Sequence, residues 1–296
     1  MTTLVPYISI NMQPQYIHYA DISLLKSYEP SLIEKVFKAI SYDWGIEFNF
    51  PHGGCQQRAQ LISLLLKQKY HIEHYKIWLF APAALYLKED RMLQLVDKNY
   101  LSPNGNIEWS FHVAPVVNVQ TTNGMETYII DPSVDRDKPL LLKDWLIALG
   151  NSHTGQYSFL LPKKYFFNSS YHTDEQDMMT MLFDGSFYDY VNPAKDNLAV
   201  EKGLAINDMV KIIYDKHIAP VIQHNQEIDN LILEDLKAIF GNATALDMLF
   251  SQNISGYTEN TTLRYVLTNY GSIIEEAREI FNRRLFYWTK VMNELL

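Results

Sequence analysis

The chain contains a single cysteine, Cys55, at a place where a thiol could act in catalysis. The glycine-containing turn PHGG precedes it, and an apolar segment with helical spacing follows it. The first turn of a helix offers unpaired backbone N–H groups and the positive end of the helix dipole, which together favour a thiolate over a thiol. The pattern therefore predicts a cysteine nucleophile at the start of a helix.

Two segments further along the chain contain residues that could complete a catalytic set. His112 lies in WSFHVAPVV, and Asp131 lies in ETYIIDPS. A cysteine nucleophile needs a neighbouring base, and the base needs a group that fixes its tautomer and stabilises the imidazolium. The same three residues could instead be a small core side chain, a core histidine and an Asx-type turn. Their joint occurrence, in the order helix-start Cys, strand His and strand-end Asp, favours the catalytic interpretation. His112 and Asp131 are expected to meet on the sheet face that the Cys55 helix packs against. His52 lies in the glycine turn with no orienting carboxylate nearby and is a less favoured base, and Arg58 is expected to pair with a carboxylate of the sheet domain or to bind one of a substrate.

The elements that must position these residues follow from hydrophobic periodicity. Helices are predicted over about 31–41, opened by a capping box of Ser31 and Glu34, and over 55–69. Runs with a period of two predict strands over 76–82, 110–119, 125–132 and 157–162, with a hairpin-like loop at 122–124. Pro115 cannot donate to a ladder, so its strand is expected at an edge or bulged. A helix followed by adjacent antiparallel strands predicts an α+β fold.

Composition limits the possible functions. The net charge is −9, and its acidic excess lies after residue 164, which argues against a nucleic-acid partner. No apolar run is long enough for a membrane span, and the N-terminus does not resemble a cleaved signal peptide. One cysteine excludes an intramolecular disulfide, which is typical of a reducing cytosol. No set of side chains has metal-ligand spacing, and no cofactor is expected.

Three motifs resemble a known family. GCQQRA at 54–59, WSFHVAP at 109–115 and YIIDPS at 128–133 are similar, in the same order, to those of the protein-glutaminase group within the transglutaminase-like, papain-like superfamily of cysteine enzymes. The resemblance implies a core in which the Cys-bearing helix packs on an antiparallel sheet. It also implies that Cys55 is the nucleophile, His112 the acid and base, and Asp131 the orienting carboxylate.

The activity implied by this resemblance is hydrolytic deamidation of glutamine side chains in a protein substrate, through a thioester and with release of ammonia. The Cys55 N–H would be one oxyanion donor, and Trp109 or the side chain of Gln56 or Gln57 could be a second. Trp109 could equally be a pocket wall or part of the core. The same triad also serves transglutaminases and cysteine peptidases. A helical partner-binding module with an inactive cysteine-enzyme-like domain is the alternative of another class.

The predicted organisation has three parts. Residues 1–44 form an N-terminal extension with one amphipathic helix, 45–165 the catalytic domain, and 166–296 an all-helical domain that could recognise the substrate or a partner. Its helices are expected over 196–240, 244–252 and 272–295. Secreted relatives carry a leader, a prosegment and further cysteines, so the expected location is cytoplasmic, or translocated into a host cell as a bacterial effector. The target glutamine and the oligomeric state are not predicted.

Overall fold

The structure, a computed structural model, describes much but not all of the chain. Its described residues are 20–50, 53–85, 89–102, 104–150, 152, 155–162, 164–167, 182–186, 200–224, 234–236, 239–240 and 268–295. The predicted helix over 244–252 lies outside them. Within them the fold is α+β, as expected.

The secondary structure alternates short strands with helices of up to 25 residues. The α-helices are α1 Pro30–Tyr42, α2 Cys55–Gln68, α3 Pro82–Leu85, α4 Leu142–Ala148, α5 Val200–Ile213, α6 Ala219–His224 and α7 Gly271–Leu295. A 3₁₀ turn covers Ile22–Leu24, and a π-helical segment, Tyr214–Ile218, joins α5 to α6. The strands are β1 Ser27–Tyr28, β2 Tyr75–Phe80, β3 Leu93–Val96, β4 Asn106–Trp109, β5 Phe111–Thr121, β6 Gly124–Ile129, β7 Leu140–Leu141, β8 Gln156–Leu160, β9 Lys164–Phe167 and β10 Leu182–Ser186.

The central sheet has the order β7-β6-β5-β2-β8, with β1 pairing to β5. All neighbours along this order are antiparallel, and only β1 runs parallel to its partner. The predicted hairpin is present, because β5 and β6 pair up to Thr121 and Gly124. The four predicted strands and the two predicted N-terminal helices are thereby confirmed.

Pro115 was expected at an edge or a bulge, but it lies in the middle of the sheet. β5 has neighbours on both sides, and its register with β2 is uninterrupted through the Pro115–Lys76 pair. The Pro115 carbonyl accepts from the Ile130 N–H at 2.9 Å, one residue beyond the end of β6. A residue in an antiparallel strand directs its backbone N and C=O toward the same neighbouring strand. The N–H that proline lacks would therefore point past the end of β6, so its absence removes no hydrogen bond of the β5–β6 ladder.

The start of α1 also differs from the sequence prediction. The helix begins at Pro30, with Glu29 as N-cap and no capping hydrogen bond from its side chain. The prediction of a capping box formed by Ser31 and Glu34 is therefore wrong. Proline suits the first helical position, because its φ is already helical and its missing N–H would have been unpaired.

The two faces of the sheet are covered differently. Helices α1, α2, α5 and α7 share one apolar core with the odd-numbered positions of β5, including Val113 and Val117. The other face carries Ala114 and Val116 and packs with α4 and the β3–β4 hairpin. This alternation is the period of two of a strand buried on both faces.

The region after residue 165 was expected to be wholly helical, but it also contains strands. β9 and β10 form an antiparallel pair there, with Leu182 opposite Phe167. The composition of β9, KYFF, favours a strand, whereas β10, LFDGS, contains Asp and Gly, which are depleted in strands. Further along, α5 and α7 confirm helices within two of the expected ranges. The three-part division remains a prediction, and α5 and α7 share a core with α2.

Candidate functional site

Cys55 is the first residue of α2, as the sequence predicts. Gly54 before it is the N-cap and has a φ of +74°, in the left-handed region that favours glycine. The Gly54 carbonyl accepts from the Arg58 N–H at 3.0 Å, which closes the first turn. The Cys55 side chain is 7% exposed, and its Sγ donates to Oε1 of Gln56 at 3.2 Å. The thiol therefore lies at the positive end of the helix.

His112 and Asp131 are in direct contact. Nε2 of His112 lies 2.8 Å from Oδ2 of Asp131, and both side chains are buried. Asp131 follows the end of β6 and is fixed at both oxygens, because Oδ1 accepts from the Ser133 N–H at 3.1 Å and Oδ2 also accepts from Nε1 of Trp145 at 2.9 Å. The Asx-type turn and the contact with His112 are therefore compatible features of the same residue.

Cys55 and the His112–Asp131 pair meet at one end of the sheet. We expected them on the sheet face covered by α2. His112 is the second residue of β5 and shares the side of Ala114 and Val116, because side chains two apart lie on the same face. Cys55 belongs to the apolar core on the opposite face. The helix start and the beginning of β5 approach each other at the sheet end, so the thiol interacts with the imidazole around that end.

Two tryptophans stack against the imidazole of His112. Trp109 stacks on it with ring centroids 4.5 Å apart and planes 15° apart. Trp145 stacks at 5.8 Å and 29°. Because Nε2 is used by Asp131, the nitrogen left for the sulfur is Nδ1, which has no hydrogen-bond partner of good geometry among the described residues. Stacked rings and a bonded Nε2 fix the orientation of the imidazole.

The electrostatics of the pair favour an imidazolium. Burial opposes the charge on His112, but the negative charge of Asp131, their hydrogen bond and the neighbouring Cys55 raise the pKa of His112 to about 9. Burial also opposes ionisation of Asp131, yet His112, Trp145 and Arg58 together lower the pKa of its carboxyl group. The contact is therefore an ion pair in the neutral pH range.

Arg58 adds a second positive charge to this buried cluster. It lies one turn after Cys55 on α2, is 1% exposed, and none of its three side-chain nitrogens has a hydrogen-bond partner among the described residues. Burial lowers the pKa of Arg58, while the charges of Cys55, Asp131 and Glu47 counteract this. An unpaired buried cation is costly, so its retention beside two potential anions needs a reason.

The neighbouring groups supply that reason. The charges of Cys55 and Asp131 favour the cation on Arg58, and Arg58 in turn helps to lower the pKa of the Asp131 carboxyl group. The start of α2 thus brings a compensating positive charge to the site.

The structure brings the predicted site residues together. Cys55, His112, Asp131, Gln56 and Trp109 all lie in one neighbourhood. His52, a less favoured base in the sequence, lies outside the described residues. Trp145 was missed, because nothing in its local sequence was assigned to the site. Arg58 was identified on the Cys helix, but its burial was not predicted.

The comparisons with known proteins agree with the motifs. Residues 33–149 match the sequence model of the Glutaminase family. This segment is therefore similar to the Glutaminase family, and the match covers Cys55, His112 and Asp131. It confirms the expected protein-glutaminase recognition and the expected enzyme class, a hydrolase that deamidates glutamine. No curated protein matches the chain by sequence.

Solved structures of protein-glutaminases show a loose overall likeness. The NMR structure of protein-glutaminase from Chryseobacterium proteolyticum is 18% identical, covers 66% of this chain and 94% of its own, and has a TM-score of 0.41. A crystal structure of protein-glutaminase is also 18% identical, with coverage of 64% and 91% and a TM-score of 0.39. A mutant of pro-protein-glutaminase is 21% identical, with coverage of 54% and 55% and a TM-score of 0.38.

The described part of the chain contains no helix with the length and hydropathy needed to cross a membrane.

Proposed function

We propose that the chain hydrolyses the side-chain amide of glutamine within protein substrates, through a thioester on Cys55. The observation that carries this proposal is the 2.8 Å contact between His112 and Asp131, together with a helix-start thiol that interacts with the same imidazole. These are the three roles that nucleophilic catalysis by a thiol requires. They occur inside the segment that matches the Glutaminase family.

In the first half-reaction, the Cys55 thiolate attacks the carboxamide carbon and forms a tetrahedral oxyanion. The imidazolium then gives its Nδ1 proton to the departing nitrogen, the C–N bond breaks, and ammonia leaves a thioester behind. Asp131 holds the other ring nitrogen throughout, so the proton is exchanged at Nδ1 only.

In the second half-reaction, water attacks the thioester carbonyl and gives a proton to Nδ1. The C–S bond then breaks, which restores the ion pair and releases glutamate within the protein substrate. Gln56 and Trp109 are proposed to border the pocket for the glutamine side chain. Trp109 supplies a flat apolar wall against His112, and Gln56 contacts the sulfur. The region after residue 165 is proposed to contribute to substrate choice.

The direct test is incubation of glutamine-bearing proteins with the purified chain. We expect ammonia release and conversion of glutamine to glutamate in peptide mass spectra. Cys55→Ala should abolish both, while Asp144→Asn, a change on an exposed position of α4, should leave both unchanged. Absence of conversion across a broad protein set, with Cys55 intact and alkylatable, would refute deamidation.

A labelled amine added to the same reaction separates the alternatives that share this triad. Incorporation of the amine at glutamine would indicate a transglutaminase, and cleavage of the backbone would indicate a peptidase. A binding module with an inactive site would bind a partner without any of these products. Rapid alkylation of Cys55 at neutral pH is expected for the enzyme and not for that module.

A further inference from the structure

The start of the Cys helix contacts a side chain from the C-terminal part of the chain. A Cβ atom built on Gly54 would lie 2.4 Å from Nδ2 of Asn207 and 3.1 Å from its Oδ1. Three residues along α2, Gln57 lies equally close to Gly203 of α5, where a Cβ atom would be 2.4 Å from its Cγ. Helices α2 and α5 therefore run antiparallel in close contact, with Asn207 at the end that carries Cys55.

The amide of Asn207 is a buried donor for which the described residues offer no acceptor. The residue is 5% exposed, and its Nδ2 has no hydrogen-bond partner within that part of the chain. A buried N–H group of this kind normally costs stability unless it is used. Covalent geometry from Gly54 to the next residue places this donor within about 6 Å of the Cys55 backbone nitrogen.

The neighbouring residue explains why Asn207 is held in place. Asp208 accepts from Nε of Arg284 and from Nε1 of Trp288, both at 2.6 Å, which ties α5 to α7. Asp208 is itself 7% exposed, so this tie is largely buried. The position of Asn207 is therefore fixed by a polar contact within the C-terminal helices and by close packing at Gly203.

We propose that Asn207 is a catalytic residue whose side-chain amide is the second donor to the oxyanion formed at Cys55. An oxyanion site needs two donors that are already oriented and shielded from water, and the N–H at a helix start is commonly one of them. The orphan amide of Asn207 lies beside that helix start. Gln56 contacts the sulfur through its carbonyl oxygen, which is an acceptor and not a donor. The inference rests on the proposed acyl transfer at Cys55.

This assignment gives the C-terminal part of the chain a role in the chemistry. Asn207 lies well beyond residue 149, where the family match ends. The matched segment supplies the nucleophile, the imidazole and the carboxylate, and α5 completes the site with a donor. The Asn207 donor would stabilise the substrate only when the planar carbonyl becomes a tetrahedral centre with a negative oxygen. This holds for any substrate amide.

The test compares the full-length chain with Asn207→Ala and with Asn207→Asp, which keeps the shape and removes the donor. We expect kcat for deamidation to fall on the order of 10²- to 10³-fold in both variants, with KM little changed, as for loss of one oxyanion donor. Alkylation of Cys55 by iodoacetamide should keep its wild-type rate, because that displacement forms no oxyanion. Asn118→Ala is the matched control, since Asn118 is also buried but bonds to Ile22 and Leu25 away from the site. It should lower the melting temperature without lowering kcat of the folded fraction.

A probe without glutamine specificity separates this inference from the proposed function. Propanal adds reversibly to the Cys55 sulfur and forms a tetrahedral oxygen, and its binding can be followed as protection from alkylation. Weaker protection in both Asn207 variants would support the donor even if the wild-type chain did not deamidate any tested protein. If both Asn207 variants kept the wild-type level of protection and the wild-type kcat, the donor role of Asn207 would be overturned. A parallel loss of alkylation and turnover would also overturn it, because Asn207 would then act only by holding the helix start.

Discussion

Nε2 of His112 lies 2.8 Å from Oδ2 of Asp131, and the same oxygen accepts from the indole of Trp145. Nε2 of the imidazole is therefore bonded and its ring is stacked against two indoles, so that Nδ1 is the ring nitrogen available to the thiol. Asp131 makes this arrangement possible because a carboxylate accepts from both donors at once.

Replacement of that carboxylate should disable the site without unfolding it. Asp131→Asn offers Nε2 an amide and stabilises the wrong tautomer, so we expect deamidation to fall by about 10³- to 10⁴-fold. Steady-state kinetics on a glutamine-bearing protein measures this. Near-normal turnover in the variant would remove Asp131 from the mechanism, and Asp144→Asn on exposed α4 is the control.

The hydrogen bond from the Trp145 indole to Asp131 should contribute to turnover independently of the ring stacking on His112. Trp145→Phe keeps an aromatic ring beside His112 and removes the hydrogen bond to Asp131, and a hydrogen bond to a charged group contributes about 1.5–3 kcal/mol. We expect turnover to fall by roughly tenfold or more with KM little changed. Trp44→Phe, which loses a comparable indole bond to Tyr70 away from the site, should leave kcat unchanged. Equal effects of the two variants would contradict a specific role.

The pH dependence follows from the raised pKa of His112. The pKa in the folded chain is about 9, against an ordinary value of 6.5. The stabilisation from this ion pair is therefore fully present below about pH 6.5 and is lost as pH rises through about 9. Unfolding by denaturant at a series of pH values should show this decline in the wild type and not in His112→Gln. Activity should fall over the same alkaline range, because the leaving nitrogen needs the imidazolium proton.

Arg58 should promote the reaction of Cys55. Arg58→Met removes a buried cation that interacts with both Cys55 and Asp131. We expect alkylation of Cys55 at neutral pH to slow by roughly tenfold or more, because a positive charge that favours an anionic sulfur is lost. Arg58→Lys should restore part of the rate. A wild-type rate in a folded Arg58→Met variant would show that the guanidinium has no electrostatic role.

The contact between α2 and α5 should be sensitive to a single methyl group. Gly203→Ala places a Cβ atom 2.4 Å from Cγ of Gln57, and we expect a loss of about 1–3 kcal/mol in the free energy of unfolding. A Cβ atom at Gly271 meets no other described residue within 4 Å, so Gly271→Ala is the matched control at the start of α7. A double variant with Gln57→Ala should recover much of the loss. Additive losses would contradict direct contact.

The sequence predicted the local elements well because their signals are local. A period of 3.6 identified α1 and α2, and a period of two identified β2, β5, β6 and β8. The triad residues could be named because a helix-start cysteine, a strand histidine and a strand-end aspartate each have a chemical reason to be where they are.

The remaining features depend on contacts between distant segments. The strand of Pro115 was expected at an edge or bulged, because the sequence does not show where β6 ends. His112 was assigned to the wrong face because its side depends on the register of the whole strand. The roles of Trp145 and Asn207 required knowing which helices pack against the sheet end, and neither residue carries a local signal for this.

The most direct test of the account is intact-protein mass spectrometry of the chain mixed with a glutamine peptide and acid-quenched within one turnover. We predict a covalent adduct equal to the peptide less ammonia, mapped to Cys55, absent with Cys55→Ala and accumulating before glutamate appears. Glutamate formation by the Cys55→Ala variant, with no adduct at residue 55 in the wild type, would contradict the central claim.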